Sequence, residues 1–338
     1  MTAEYGVESI RRELKKTIVD YVETEYFGKT DELRTRVDKE LREDGVLFQE
    51  PYFEATPSYP IAEDGIKRCA IPDKAKKSLL AMAESHRGVF SSPYAHQIDA
   101  LEAFWNGNDV LVSTGTGSGK TECFMWPMIS KLSTEACGRP QFGMYTGRTP
   151  YPGSKRNCDR GAAYSATLIR DIVELGEEDR KKLADSGRLP EKANLESYAE
   201  RLKTNKDPWS EDDAELLTRF EMQQHVPDVL VTNYSMLQYM LIRRPENNIW
   251  KATSDWLKAQ PSEKLLVIID EAHMYKGAAG GEVALLLRRL AFKLGVGTDR
   301  FQFILTSASI PDDDASTNLY VPAMAFLPAT VKLRLERA

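Results

Sequence analysis

Ser113 to Glu122 reads STGTGSGKTE, with Gly115, Gly117 and Gly119 spaced by small hydroxyl residues and followed by Lys120 and Thr121. An apolar run, DVLVS, precedes it, and a helix-forming stretch follows. Strand, glycine-rich loop and helix in that order are the context in which backbone N–H groups turn inward onto phosphate oxygens. The positive end of the helix dipole adds to the attraction. A lysine at position 120 would reach the outer phosphates of a nucleotide, and the Thr121 hydroxyl would ligate magnesium. Thr114, Gly115, Thr116, Gly117, Ser118, Gly119, Lys120 and Thr121 are therefore the candidate phosphate cradle. The strict G-x-x-x-x-G-K-T pattern fails only at its first position, which is Thr114.

A second acidic feature lies 150 residues beyond Lys120, where LLVIIDEAHMY drives an apolar strand into Asp270 and Glu271. Two carboxylates at the end of a buried strand are costly unless a cation compensates them. Asp270 is placed to hold magnesium, and Glu271 to orient and deprotonate an attacking water. Ordinary solvated acids at a strand end are the alternative; the cradle upstream weighs against it.

The elements that must position these groups follow from periodicity. Apolar runs at 109–113, 142–146, 228–232, 265–270 and 301–307 read as strands, several of them continuously apolar as in parallel sheets covered on both faces. Helical stretches at 120–136, 162–185, 191–204 and 281–294 separate them, so the class is α/β with a mostly parallel central sheet. Ahead of it, 4–27 carries Ile10, Leu14, Ile18, Tyr21 and Val22 at helical spacing, and 30–44 is a second, highly charged helical stretch. Three prolines in 48–65 break that pattern. Residues 1–80 thus read as a small helical accessory region and 81–338 as the nucleotide-binding domain. Residues 148–161 read as an exposed basic loop.

Composition bounds the rest. The net charge of −6 argues against a general nucleic-acid coat but leaves room for a local basic track. Four scattered cysteines, without a C-x-x-C pair, suggest neither a disulfide framework nor a metal site. No run reaches membrane-spanning length and the polar N-terminus is unlike a signal peptide, so a soluble cytoplasmic protein is expected.

Together these residues resemble the superfamily 2 helicases of the DEAD/DEAH type, over roughly 90–310. TGTGSGKT looks like motif I, DEAH at 270–273 like motif II, SAS at 307–309 like motif III, and PYAHQ at 93–97 like the adenine-reading motif. The resemblance implies a RecA-like domain that binds ATP and magnesium. It implies that Gln97 bonds the adenine edge and that Tyr94 packs on the base or, equally, in the core. It also implies that His273, Ser307 and Ser309 couple the nucleotide state to domain movement. VTNYSMLQYML at 231–241 looks like motif Ib, with Thr232 and Asn233 near a nucleic-acid backbone. Thr146, Gly147 and Arg148 are weaker backbone candidates, as are Lys155 and Arg156. The segment 270–290 is similar to large bacterial helicases of the Lhr and YprA-like groups.

Two departures accompany the resemblance. Only six residues, 136–141, separate the helix after the cradle from FGMYTG, where the family has a further strand, motif Ia and its helix. Only 29 residues follow SAS, too few for the second RecA-like domain that such motors use, in cis or in trans. The expected function is the first motor domain of a nucleic-acid helicase or translocase, with DNA ahead of RNA and with weak hydrolysis by the chain alone. The alternatives are an RNA helicase, an ATP-gated module that binds nucleic acid without catalysis, and an unrelated P-loop phosphotransferase.

Overall fold

The computed structural model describes residues 6–27, 31–43, 45–48, 58–115, 117–135, 138–150, 158–204, 206–275, 277–307 and 333–334. Contacts divide the chain into two units, 1–57 and 58–338.

In the first unit, α1 (Val7–Phe27) packs against α2 (Asp31–Arg42). The acids Asp31 and Glu32 open α2 and Lys39 and Arg42 close it, each matched to the helix dipole. The contact buries Val19 and Glu23, and Arg34 Nε donates to Glu23 at 3.1 Å. Ile10, Leu14 and Tyr21, part of the set at helical spacing, are exposed.

The second unit opens with α3 (Gly65–Arg68), α4 (Asp73–Glu84) and α5 (Ala95–Trp105), and then β1 (Val110–Ser113) feeds α6 (Lys120–Glu135). Next come β2 (Phe142–Tyr145), α7 (Cys158–Leu168), α8 (Glu177–Asp185), α9 (Leu195–Lys203), β3 (Glu215–Leu216), α10 (Arg219–Gln224), β4 (Val229–Thr232), α11 (Tyr234–Ile242) and α12 (Asn247–Ala259). The last elements are β5 (Leu265–Ile269), α13 (Ala278–Leu294), β6 (Phe301–Ser307) and β7 (Leu333–Arg334). The single helix expected over 162–185 is broken: α7 passes into a π turn at Ile169–Val173, and α8 restarts after Gly176. Part of the expected basic loop, 158–161, is the start of α7.

The strands form two parallel sheets rather than one, in the orders β5-β6-β1-β7 and β3-β2-β4. Alternation along β5 and β6 sends Leu265, Val267, Phe301 and Phe303 to one core, shared with α12 and α13. The opposite face sends Leu266, Ile268 and Ile304 to a second core against α5 and α6. Tyr145, Leu216 and Leu230 of the other sheet join the first of these cores. Ile66, Ala75, Leu79, Leu101 and Trp126 make a third cluster that ties α3 and α4 to α5 and α6.

A buried charge cluster holds the segment between α9 and α10. Lys192 Nζ lies 3.0 Å from Asp213 and 2.7 Å from Glu221, with none of the lysine side chain exposed. Glu221 also accepts from the Tyr198 hydroxyl and from the N–H groups of Leu217 and Thr218. Burial holds the Tyr198 hydroxyl well above its usual pKa, so it remains a donor.

Candidate functional site

The parallel order of β5, β6 and β1 brings three loops to one end of the sheet, the end at which α/β sheets bind ligands. Ser113 and Ser307 are register partners, so the glycine-rich loop leaves β1 beside the last residue of β6. The Thr114 amide donates to the Ser307 carbonyl at 3.3 Å. Asp270 follows β5 directly.

The loop is built as its glycines require. Gly117 and Gly119 have φ of 79° and 76°, a region that disfavours side chains. A Cβ on Gly119 would also collide with Gln97 Nε2. The segment PYAHQ braces the loop from below. His96 Nε2 is 2.9 Å from the Ser118 carbonyl, and Gln97 Nε2 donates to the Gly119 carbonyl at 3.1 Å. Gln97 Oε1 accepts from the Tyr94 amide, closing a capping box at the start of α5. Thr114 and Ser118 hydroxyls are 2.6 Å apart, and the Gly115 amide donates to the Tyr59 hydroxyl at 3.1 Å. The rings of Tyr59, Tyr94 and His96 form a cluster, Tyr94 and His96 stacked at 5.6 Å between centroids.

The polar groups aimed across this end are incompletely satisfied. Lys120 Nζ is buried without a hydrogen-bond partner; Glu271 Oε2 is buried too and accepts no hydrogen bond, with the His273 ring as its ion-pair neighbour. An ammonium without an anion partner fits a phosphate ligand. Glu271 has φ of 51°, a left-handed backbone uncommon outside glycine. Asp270 Oδ1 accepts from the Thr306 hydroxyl and from the Glu271 amide. His273 Nδ1 lies 3.1 Å from Glu271 Oε2 and 3.3 Å from Ser307 Oγ. Among the described residues no cluster of three or more His, Cys, Asp or Glu could hold a metal ion. A magnesium ion bound by one carboxylate, a hydroxyl and substrate phosphates suits that donor set, since this ion seldom needs an all-protein cage. Thr121, the second residue of α6, is exposed.

A second group gathers at the same end of the other sheet. Tyr145 and Thr232 are register partners, which sets Thr146 and Gly147 beside Thr232 and Asn233. Thr232 Oγ1 donates to the Tyr145 carbonyl at 2.7 Å, and Asn233 Oδ1 caps α11 by accepting from the Met236 amide. Arg219 Nη2 donates to the Thr146 carbonyl at 2.6 Å, and Thr149 Oγ1 accepts from the Thr146 amide. Thr116, Lys155, Arg156 and Ser309 lie outside the described residues. Sequence reasoning missed Tyr59 and Thr306 and did not single out His96. Tyr59 and Thr306 carry no local signal, whereas His96 sits in full view inside PYAHQ.

Burial lowers the His96 pKa from its usual 6.5, outweighing the carbonyl of Ser118 and the acids Asp99 and Glu122. The folded state therefore binds its proton less readily than the unfolded chain. The stability this represents is full above pH 6.5 and is lost as pH falls from there through the folded pKa. Thermal melts between pH 7.5 and pH 5 are expected to fall more steeply for the wild type than for His96→Gln (about 6.5 marks the onset). Equal slopes would remove His96 from the acid response.

The family model described as DEAD/DEAH box helicase matches residues 94–317. Among curated proteins, the Druantia protein DruE of Escherichia coli (strain UMEA 4076-1) is 34% identical over 385 aligned residues, covering 92% of this chain and 21% of the relative. The uncharacterized ATP-dependent helicase YprA of Bacillus subtilis is 26% identical over 229 residues, 68% of this chain and 24% of the relative. The chain thus spans about a fifth to a quarter of the length of these relatives. Among solved structures, Mycobacterium smegmatis helicase Lhr bound to single-stranded DNA and AMP-PNP aligns at 20% identity with a TM-score of 0.37, covering 75% of this chain and 26% of that one. No described helix is long and apolar enough to cross a membrane.

Proposed function

The chain belongs to the DEAD/DEAH box helicase family, and from that premise we propose that it is the first motor domain of an ATP-dependent DNA helicase or translocase. The observation that carries the reading is the convergence of the phosphate loop, Asp270, Glu271 and Ser307 on one end of three adjacent parallel strands, with Lys120 Nζ buried and unpartnered there. The cradle from Thr114 to Thr121 would hold the triphosphate, and Lys120 would neutralise its outer charge. Thr121 and Asp270 would hold magnesium, which would draw charge from the phosphate oxygens during transfer. Glu271 would align a water and accept its proton, with His273 close enough to fix the carboxylate. Tyr94 and Gln97 would border the base.

His273 and Ser307 (with Ser309) would report the nucleotide state to a second RecA-like domain, supplied in cis or in trans. In this reading 81–338 form the motor domain, 1–80 form a helical accessory region, and the protein works in the cytoplasm. Thr146, Gly147, Thr232 and Asn233 would touch the nucleic-acid backbone, which positions a strand without reading its sequence. Thr232 is in register with Tyr145, the residue before Thr146, which supports one continuous contact line.

Phosphate release measured with single-stranded DNA, double-stranded DNA, RNA and no nucleic acid tests the proposal. Stimulation by DNA is expected, together with binding that weakens steeply with salt and ignores sequence. Stimulation by RNA alone would move the substrate assignment. Nucleotide binding without any stimulated turnover, even with the second motor domain supplied, would favour an ATP-gated binding module.

A further inference from the structure

The turn after β2 takes its shape from far along the chain. It spans residues 146–149 and is closed by the Thr149 amide donating to the Thr146 carbonyl at 3.2 Å. Thr149 Oγ1 ties it to its own strand, accepting from the Thr146 amide and donating to the Met144 carbonyl at 2.6 Å. A single residue then holds both sides of the turn. Arg219 Nη2 donates to the Thr146 carbonyl at 2.6 Å, and the Arg219 amide donates to the Pro150 carbonyl at 2.9 Å. Arg219 lies 73 positions beyond Thr146, past α7, α8, α9 and β3. The chain thus departs from the turn at Pro150 and returns to it at the first residue of α10.

A buried polar set places Arg219. Its guanidinium lies over the Tyr145 ring, 5.6 Å from the centroid. Tyr145 is fully buried. The Tyr145 hydroxyl donates to Glu246 Oε1 and accepts from Gln223 Nε2, each at 2.7 Å. Burial, with the Glu246 carboxylate, holds that hydroxyl well above its usual pKa, so it keeps its proton. Glu246 is the N-cap residue of α12, and Gln223 belongs to α10. On the main chain, the Tyr145 carbonyl accepts from Thr232 Oγ1. Tyr145 therefore joins β2, β4, α10 and α12. From the other side, Glu221 binds α10 to the buried Lys192.

Packing alone does not call for these groups. Glu246 is fully buried, its Oε2 has no hydrogen-bond partner, and Arg243 Nη2 stands 3.8 Å from its Oε1. An acid so placed costs stability, and apolar side chains would fill the same space as well. What the acid orders is the Tyr145 hydroxyl and, through the ring, the guanidinium over it. What the guanidinium orders is a carbonyl of a surface turn, where Gly147 and Arg148 are exposed. Buried groups thus set the shape of an exposed turn.

We propose that Arg219 is a positioning residue for nucleic-acid binding, holding the 146–149 turn so that Thr146 and Gly147 meet the same backbone as Thr232 and Asn233. Tyr145, Gln223 and Glu246 hold Arg219 in that place. The α7–α10 segment is thereby part of the nucleic-acid site: it fixes the contact line from behind and leaves the contacts themselves to the turn. A turn already held in its binding shape loses less conformational freedom when the nucleic acid arrives. The inference rests on the reading of Thr146, Gly147, Thr232 and Asn233 as backbone contacts.

Fluorescence anisotropy of labelled single-stranded DNA and RNA, titrated with the full chain at several salt concentrations, tests it. Arg219→Met is expected to raise Kd about tenfold or more, the worth of a lost hydrogen bond from a charged group. The slope of log Kd against log salt is expected to stay as in the wild type. A residue that sits on a phosphate behaves differently, since its loss lowers that slope by about one. Tyr145→Phe keeps the ring and removes both hydroxyl bonds, so it is expected to weaken binding severalfold at the same slope. Affinity for a fluorescent nucleotide is expected to be unchanged in both variants, which separates positioning from a general loss of structure. Wild-type Kd in either variant would overturn the proposal, and Tyr145→Phe decides it if Arg219→Met does not fold. A slope lowered by about one in Arg219→Met would also overturn it and place the guanidinium on a phosphate. So would a parallel loss of nucleotide affinity, which would make Arg219 a residue of the fold alone. A wild type that binds neither DNA nor RNA would end both this proposal and the reading beneath it, whereas wild-type binding that the variants leave untouched ends this one only.

Discussion

Glu271→Gln is expected to bind ATP as the wild type does and to hydrolyse it slower by about 10²–10⁴, the range a general base contributes. The substitution keeps the size of the side chain and removes its capacity to accept a proton. The rest of the site is left in place: the loop glycines, the Lys120 amine and the Thr306 bond to Asp270 do not involve the Glu271 side chain. The left-handed backbone at Glu271 is a property of the turn after β5, and glutamine accepts it no worse than glutamate. Single-turnover phosphate release, with protein in excess over ATP, reads the slow basal rate, and a fluorescent nucleotide reads binding. Normal turnover in this variant would remove Glu271 from the chemistry. Lost binding would instead make it part of the nucleotide's own shell.

Lys192→Met is expected to cost about 3–5 kcal/mol of stability, the usual loss when one partner of a buried ion pair is removed. Asp213 and Glu221 would be left as two buried carboxylates without their shared cation, both nearly or fully excluded from solvent. Adding Glu221→Gln should recover part of the loss, because an amide tolerates that environment better than an unpaired charge. Recovery will be incomplete, since Glu221 also accepts from Tyr198, Leu217 and Thr218. The damage should reach one function and spare another. α10 begins at Arg219, which holds the Thr146 carbonyl, so nucleic-acid binding should weaken in any folded population while nucleotide binding persists. Urea midpoints for the single and double variants give the stability test. A midpoint for Lys192→Met equal to the wild type would show that the cluster is solvated and of no structural weight.

The two sites were legible in the sequence to different depths. The phosphate loop was readable because its chemistry is contiguous: backbone amides, glycines and the first turn of a helix must be neighbours in the chain to surround one phosphate. The strand before Asp270 was readable because five apolar residues ending in two acids have few other uses. The sheet ends that carry Thr146 and Thr232 were readable as strands, but their pairing was not. The helical spacing over 4–27 identified α1, and Ile10, Leu14 and Tyr21 of that set are exposed. Periodicity identifies a face suited to burial; it carries no information about what arrives to cover it. The helix expected over 162–185 was interrupted because a one-residue change in hydrogen-bond spacing, the π turn at Ile169–Val173, leaves the apolar pattern almost unaltered.

By itself, then, the sequence laid out the candidate chemistry: a glycine-rich loop before a helix, a pair of acids after an apolar strand, and the α/β grammar that brings them to one end of a sheet. These depend on residue type and short spacing, which are local properties. Tertiary structure alone decided what braces that chemistry. Tyr59 bonds the Gly115 amide from 56 residues away, Thr306 bonds Asp270 from 36, and Lys192 meets Glu221 from 29. It also decided that the strands form two parallel sheets rather than one. Such contacts arise from loop closures and shared cores, and their energies depend on which surfaces are left to meet once the local elements have formed.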